Sequence, residues 1–268
     1  MDMKLPVSKI KGTIQELDIK KSSGIVFYND MARVCTVIKP SNAKDDRKDK
    51  SPYRMSTLFG GNWKDYNNHF IIQLAGCPLK CWYCYVDNLG ADFYLSVEDI
   101  VDMFVYFKRE CKKKFGVEIK VLHLMGGAPA FYCYSWPIFR KELDKRGLHD
   151  IILFSDVIFV ENHFNPEIKP WKFLDINNFI LTGSLKGLTK EDFLKNTGRD
   201  LFDVAIKELR NYIDAPNFYV TLLNVDLKFL TGLYQIIDKK KVDVLQVVEY
   251  EVVKRRSTQR SNYVIRKS

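Results

Sequence analysis

The sequence predicts an α/β fold, a partial (β/α)6 TIM-type barrel with a small N-terminal β extension. Three observations carry this expectation. From residue 69 onward, six short apolar runs alternate with stretches of helical periodicity, the pattern of parallel strands joined by right-handed crossovers. Several of those runs are apolar on both faces, as strands inside a parallel sheet are. Six units are too few to close an eight-fold barrel, so an open arrangement follows.

Residues 1–68 precede the repeated pattern. Thr13-Ile-Gln-Glu-Leu17 and Gly24-Ile-Val-Phe-Tyr28 read as short strands, and Arg33-Val-Cys-Thr-Val-Ile38 returns antiparallel to the second as a hairpin. Lys39 to Arg54 carries Pro40, Pro52 and many charges and reads as a surface loop, with a further turn at Gly60-Gly61. The first repeated strand covers residues 69–75, centred on Phe70-Ile-Ile-Gln-Leu74. Ser96-Val-Glu-Asp99 is a helix N-cap with acid in the first turn. Val97, Ile100, Val101, Phe104 and Phe115 keep helical spacing until Gly116 stops the helix.

Val121-Leu-His-Leu-Met125 is the second strand and leads into Gly126-Gly127-Ala128-Pro129. A helix spans 136–146 and stops at Gly147. Ile151-Ile-Leu-Phe154 is the third strand, extended by Val157-Ile-Phe-Val160. Asn178-Phe-Ile-Leu181 is the fourth and runs on to Ser184-Leu-Lys186-Gly187. Thr189 caps the next helix, and after Gly198 a second helical stretch places Leu201, Val204, Ala205, Leu209 and Tyr212 on one face. Phe218-Tyr-Val-Thr-Leu-Leu223 is the fifth strand, 227–238 a helix, and Val244-Leu-Gln-Val-Val248 the sixth strand. The expected organisation is therefore an extension over 1–68, the barrel over 69–253 and a tail over 254–268.

The chain has 268 residues, 46% of them apolar, enough for a large core. No run of 18 or more apolar residues exists, which argues against a membrane span. The first residues lack an apolar signal core, and unpaired cysteines fit a reducing compartment, so a cytoplasmic location is expected. The formal net charge is +9. Much of the excess sits in the tail, where Lys254, Arg255, Arg256, Arg260, Arg266 and Lys267 meet no acidic residue. Such a tail is either a solvated end or a contact for nucleic acid.

The most informative stretch is Cys77-Pro-Leu-Lys-Cys81-Trp-Tyr-Cys84, three cysteines at spacing C-x3-C-x2-C directly after the first strand. Thiolates are the soft ligands that iron–sulfur clusters and zinc select. This close spacing lets one loop wrap a single cubane and leaves its fourth iron without a protein ligand. Structural zinc asks for four ligands, usually from two pairs. The other cysteines, Cys35, Cys111 and Cys133, are isolated, and His69 stands at the far end of the strand. A non-catalytic iron–sulfur or zinc protein that binds a partner is the alternative of another class.

Ligands in open α/β folds sit at the C-terminal ends of the strands. The informative residues fall there: Cys77 to Cys84, Gly126 to Pro129, Ser155 and Asp156, Ser184 and Lys186, Asn224 and Asp226. His123, inside an apolar strand, reads as a hydrogen-bonded core histidine. Cys111 and Cys133 read as buried thiols.

Cys77-x3-Cys81-x-Tyr83-Cys84 resembles the signature of the radical S-adenosylmethionine (radical SAM) enzymes, including the aromatic residue before the third cysteine. The resemblance implies that Cys77, Cys81 and Cys84 hold one 4Fe–4S cluster and that SAM chelates the fourth iron. Reductive cleavage of SAM would then yield a 5′-deoxyadenosyl radical that abstracts hydrogen from a substrate. Gly126-Gly127-Ala128-Pro129 resembles the family's G-G-E-P motif, with Ala128 in place of the usual Glu. Ser184-Leu-Lys186-Gly187, with Phe193 and Thr197-Gly198, resembles the D-x-K … F-x3-T-G region of the glycyl-radical-enzyme activases, the pyruvate formate-lyase activating enzyme-like group. Ser184 stands where those activases carry Asp.

The SAM contacts so implied are Tyr83, Gly126, Gly127, Ala128, Pro129, Ser155, Ser184, Lys186 and Asn224. Trp82 and Tyr85 either line the substrate mouth or shield the cluster. The resemblance also implies an electron donor of flavodoxin or ferredoxin type. The substrate would be a glycyl residue of a partner protein, or alternatively a nucleic acid or small molecule. No cysteine follows Cys133, so no C-terminal auxiliary cluster is expected.

Overall fold

The structure is a computed structural model that describes residues 3–10, 25–37, 50–84, 90–223 and 225–245. Its strands are β1 (Lys4–Val7), β2 (Ile25–Tyr28), β3 (Ala32–Thr36), β4 (Asn68–Gln73), β5 (Phe93–Ser96), β6 (Val121–Met125), β7 (Ile152–Val157), β8 (Phe179–Leu185), β9 (Phe218–Leu223) and β10 (Val242–Leu245). Its α-helices are α1 (Ser51–Phe59), α2 (Val97–Phe115), α3 (Trp136–Lys145), α4 (Glu161–Phe164), α5 (Lys190–Thr197), α6 (Phe202–Leu209) and α7 (Leu230–Tyr234).

Eight strands form one sheet in the order β10-β9-β8-β7-β6-β4-β3-β2. The run from β4 to β10 is parallel throughout, each strand beside its predecessor in that run. These are the six strands that the alternating pattern anticipates. The hairpin β2–β3 adds antiparallel to the β4 edge, as its flanking turn residues imply. β1 pairs antiparallel with β5 in a separate two-stranded ribbon that the sequence reading does not contain.

Strand alternation gives the sheet two different faces. One carries Phe70, Ile72, Leu122, Leu124, Leu153, Leu181, Val220 and Leu222. It packs in a single core with Phe104 and Phe107 of α2, Phe139 and Leu143 of α3, Phe193 of α5 and Leu209 of α6. The periodicity of α2 explains this: its apolar stripe is buried, Ser96 and Asp99 form a reciprocal capping box, and Gly116 closes it in the left-handed region. The opposite, inner face carries a smaller core of Val121, Ile152, Phe154, Ile180 and Tyr219, covered by Met55 of α1 and by Tyr66.

α1 corrects the expected surface loop over Lys39 to Arg54, of which 39–49 lie outside the described residues. Pro52 sits in the first turn of a helix, where its missing N–H costs nothing. The charge that suggested a loop has a buried partner: Arg54 donates to both carboxylate oxygens of Asp243 at 2.7 Å and lies 4.6 Å over the Tyr219 ring. Asp243 is only 2% exposed. No local pattern announces a pair separated by 189 residues.

Three other boundaries differ. The third strand ends at Val157 and is not extended to Val160, because Phe159 turns into the left-handed region at φ 62°. Glu161 holds that turn, accepting from the amides of Ile158 at 2.8 Å and Val160 at 3.0 Å. The helix expected over 227–238 is one short turn, α7, between 3-10 turns at Leu227–Phe229 and Lys239–Lys241. The sixth strand starts at Val242, two residues early, and its expected continuation beyond Leu245 lies outside the described residues, as do 13–17 and the basic tail. Among the described residues no helix is long and apolar enough to cross a membrane.

Candidate active site

The cysteine loop leaves the sheet at the C-terminal end of β4 and is held from two sides. On one side, the Leu74 amide donates to the Met125 carbonyl and the Ala128 amide to the Gly76 carbonyl, both at 2.8 Å. Gly126 and Gly127 have φ of +78° and +51°. A Cβ on Gly127 would lie 2.6 Å from the Gly76 carbonyl oxygen and 2.9 Å from the Ala75 carbonyl, so only glycine lets the β6 loop lie against the turn that starts the cysteine motif. Ala128 and Pro129 are buried in that contact. A Glu at position 128 would place a carboxylate in this core, where Ala128 fits without an unpaired charge.

On the other side stands the last turn of α5. The Lys80 amide donates to Thr197 at 2.9 Å and the Trp82 amide to Asn196 at 3.3 Å. The Trp82 indole Nε1 donates to Asn196 Oδ1 at 3.1 Å, and Asn196 Nδ2 donates to the Lys186 carbonyl at 2.7 Å. Phe193 is fully buried against Gly187, and the Thr197 hydroxyl donates to the Phe193 carbonyl at 2.6 Å. Phe193, Thr197 and Gly198 thus shape the turn that carries the loop. Asn196 is the member that sequence reasoning missed. Its only signal was its position between Phe193 and Thr197.

The loop brings Cys77, Cys81 and Cys84 together with Tyr83 and Lys186. Cys81 is 7% exposed and the other two are half-buried. Burial pushes the Cys77 thiol up to about 12; the Leu79 amide opposes this, Cys81 and Cys84 add to it, and the Lys186 ammonium draws it down. Burial, followed by the Cys81 and Cys84 charges, also raises the Tyr83 phenol well above its ordinary range. Lys186 is buried, with its ammonium 5.9 Å from the centre of the Tyr83 ring. Among the described residues no three His, Cys, Asp or Glu side chains form a ready cage for a single metal ion. Three soft thiols in mutual electrostatic contact, with no fourth donor grouped with them among the described residues, suit a multi-iron cluster with an open iron better than four-ligand zinc.

The remaining candidates separate by face. Ser155 pairs with Leu124 in the sheet register and is fully buried on the helix-packed side. Ser184 lies opposite Thr221 on the inner face and is partly exposed. Asn224 and Tyr85 lie outside the described residues.

On the inner face the lower rows hold Val121, Ile152, Ile180 and Tyr219 with one buried histidine, His69, and the upper rows carry more polar side chains. His123 is 6% exposed and stacks on Phe154 with ring centres 4.0 Å apart and planes 18° from parallel. Its Nε2 lies 3.4 Å from Asp156 Oδ1, while its buried Nδ1 has no partner among the described residues. An unpaired buried nitrogen of this kind costs about 1–3 kcal/mol. Thr182 and Thr221 share a hydrogen bond at 3.0 Å in the neighbouring strands. The two-residue alternation of β6 was the available signal that His123 faces inward with Met125. Asp156 was singled out by position only.

No family model matches the chain. Three curated relatives described as probable GTP 3′,8-cyclases, from three strains of Saccharolobus islandicus, are each 29% identical over 159 residues, 58% of this chain and 45% of theirs. The chain therefore spans about half the length of the curated relatives it matches. Two solved structures resemble it at low identity. Streptococcus suis SuiB bound to S-adenosylmethionine is 14% identical with a TM-score of 0.46, covering 74% of this chain and 44% of that one. A spore photoproduct lyase variant with bound AdoMet and a dinucleoside spore photoproduct is 13% identical with a TM-score of 0.43, covering 74% of this chain and 61% of that one.

Proposed function

We propose that this chain is a radical SAM enzyme. The observation that carries the reading is the C-x3-C-x2-C loop at the C-terminal end of β4, held beside Lys186 by the last turn of α5. The six parallel strands in chain order support the partial (β/α)6 barrel of that family. The similarity to probable GTP 3′,8-cyclases supports a guanine nucleotide among the substrates to test. Cys77, Cys81 and Cys84 would hold the 4Fe–4S cluster, and the peptide groups of Gly126 and Gly127 together with the Lys186 ammonium would hold SAM. When bound, the two supply one-electron cleavage of SAM to methionine and a 5′-deoxyadenosyl radical that takes a hydrogen atom from a substrate.

The chain's own residues bind, orient and exclude water. Lys186 places a positive charge near Cys77, which favours that residue's thiolate form and offers a partner for a carboxylate. Trp82 and Tyr83 pack an edge-to-face aromatic pair, ring centres 5.3 Å apart, around the middle of the motif and keep water from it. An electron donor of flavodoxin or ferredoxin type would supply the electron.

Two substrate readings follow. The D-x-K-like segment at Ser184 to Lys186 favours an activase that acts on a glycyl residue of a partner protein. The similarity to probable GTP 3′,8-cyclases favours a guanine nucleotide instead. The test of the class is anaerobic reconstitution with iron and sulfide, reduction with dithionite, addition of SAM and chromatography for 5′-deoxyadenosine. Deoxyadenosine from the wild type and none from Cys81→Ala is expected. One zinc per chain with no labile sulfide would overturn the class.

A further inference from the structure

The inner face holds a second constellation, of which only Ser184 is among the SAM contacts that the sequence implies. In the lower rows Val121, Ile152, Ile180 and Tyr219 form an apolar core under Met55. Toward the C-terminal ends of the same strands the side chains become His123, Asp156, Thr182, Ser184 and Thr221. The rings of His123 and Phe154 stack, which fixes the imidazole plane. One nitrogen then faces Asp156 at 3.4 Å, and the other is buried without a partner among the described residues. The Asp156 side chain is 19% exposed, and His123 is the one ion-pair partner recorded for it among the described residues.

Among the described residues, Arg33 and Arg54 on this face have side-chain acceptors, and Lys186 is the cation proposed above to hold SAM. Arg33 donates to Gln73 at 2.8 Å, Arg54 holds Asp243, and Lys186 acts on Cys77 and Tyr83. Among the described residues an anion would therefore meet the Asp156 carboxylate with no other positive charge paired to it than His123 when protonated. A donor group would meet an acceptor. A carboxylate takes two parallel N–H bonds best from a planar N–C–N edge. Guanine and a guanidinium both present such an edge.

We propose that Asp156 and His123, with the Thr182 and Thr221 hydroxyls beside them, form the substrate-recognition subsite of the inner face, and that it takes a planar N–C–N edge carrying two N–H donors. The assignment of this subsite to a substrate rests on the radical SAM reading, and its chemistry rests on the wall itself. Asp156, the more exposed of the two side chains, accepts both N–H bonds, and His123 Nε2 orients its carboxylate.

The test measures binding to the anaerobically reconstituted full chain by calorimetry, with and without SAM. The probes are GTP, ITP, L-argininamide and L-lysinamide. ITP lacks the exocyclic amine of guanine, and lysinamide carries charge without a planar edge. At least one of GTP and argininamide should bind, and which one does separates a nucleotide from an arginine-bearing substrate. Its counterpart, ITP or lysinamide, should bind at least ten-fold more weakly. Asp156→Asn should weaken the binding probe ten-fold or more. Thr182→Val, which keeps the volume, should weaken it about three-fold. Circular dichroism confirms that each variant is folded.

Failure of both GTP and argininamide to bind overturns the subsite. So does equal binding of the counterparts, or wild-type affinity in Asp156→Asn. A chain that cleaves SAM but binds no probe loses the subsite and keeps the radical reading. A chain that binds GTP through Asp156 and leaves SAM intact does the reverse.

Discussion

The Asn196 side-chain amide donates to the Lys186 main-chain carbonyl at 2.7 Å while its oxygen receives the Trp82 indole at 3.1 Å. One buried residue thus fixes the distance between the cysteine loop and the lysine proposed to hold SAM. Asn196→Ala removes both bonds and leaves a buried carbonyl and indole unsatisfied. A destabilisation of about 2 kcal/mol is expected in urea unfolding. SAM affinity should fall by more than three-fold while iron content per chain stays near that of the wild type. Unchanged SAM affinity would show that Asn196 serves stability alone.

Gly127 offers a sharper test of the contact beneath the motif. A methyl group there meets the backbone of Ala75 and Gly76, which cannot move aside without shifting Cys77. Gly127→Ala should cost more than about 3 kcal/mol, from left-handed strain and overpacking together. Gly147→Ala has a similar positive φ but open space around it, and should cost about 1 kcal/mol. Comparing urea midpoints separates close approach from backbone strain.

Glu161 gives the fold a pH dependence of definite sign. Burial raises its carboxyl to about 7, above the unfolded value near 4.5, with the Glu208 charge adding to the rise and the amides of the turn opposing it. The folded chain therefore binds more protons than the unfolded chain between those values, and stability falls as pH rises through that window. The loss attributable to Glu161 is at most about 3 kcal/mol between pH 4.5 and 7. His69, held well below its ordinary value by burial, acts in the opposite direction below pH 6.5. The informative measurement is thus the difference between wild type and Glu161→Gln, by urea unfolding at pH 5, 6 and 7. The wild type should lose stability relative to the variant as pH rises across that series.

The Arg54–Asp243 pair ties α1 to the last described strand. Arg54→Ala leaves the carboxylate of Asp243 buried and uncompensated, a loss of about 3–5 kcal/mol. The double variant Arg54→Met, Asp243→Leu should recover more than half of that loss in the same unfolding experiment. Failure to recover would mean that the pair specifies the position of α1 and does more than balance charge.

Local chemistry made much of this chain legible. The six parallel strands follow from apolar runs between capped helices. Ser96, Thr189 and Gly116 act at the positions where capping rules place them. The cysteine spacing alone singled out the loop after β4. Such features depend on residues within a few positions of one another, where period and cap geometry determine the outcome.

Only the tertiary structure decided the rest. Pro52 and Arg54 belong to a helix because a carboxylate 189 residues away accepts the guanidinium. Phe159 breaks a strand because Glu161 wraps the turn and Gly183, one strand over, leaves room for the ring. Asn196 joins the loops that follow β4 and β8, two strands that are not neighbours in the sheet, and His123 acquires Asp156 only when β6 and β7 lie side by side. Each outcome depends on which distant group fills a partner's unsatisfied valence, and no periodicity in the sequence encodes that.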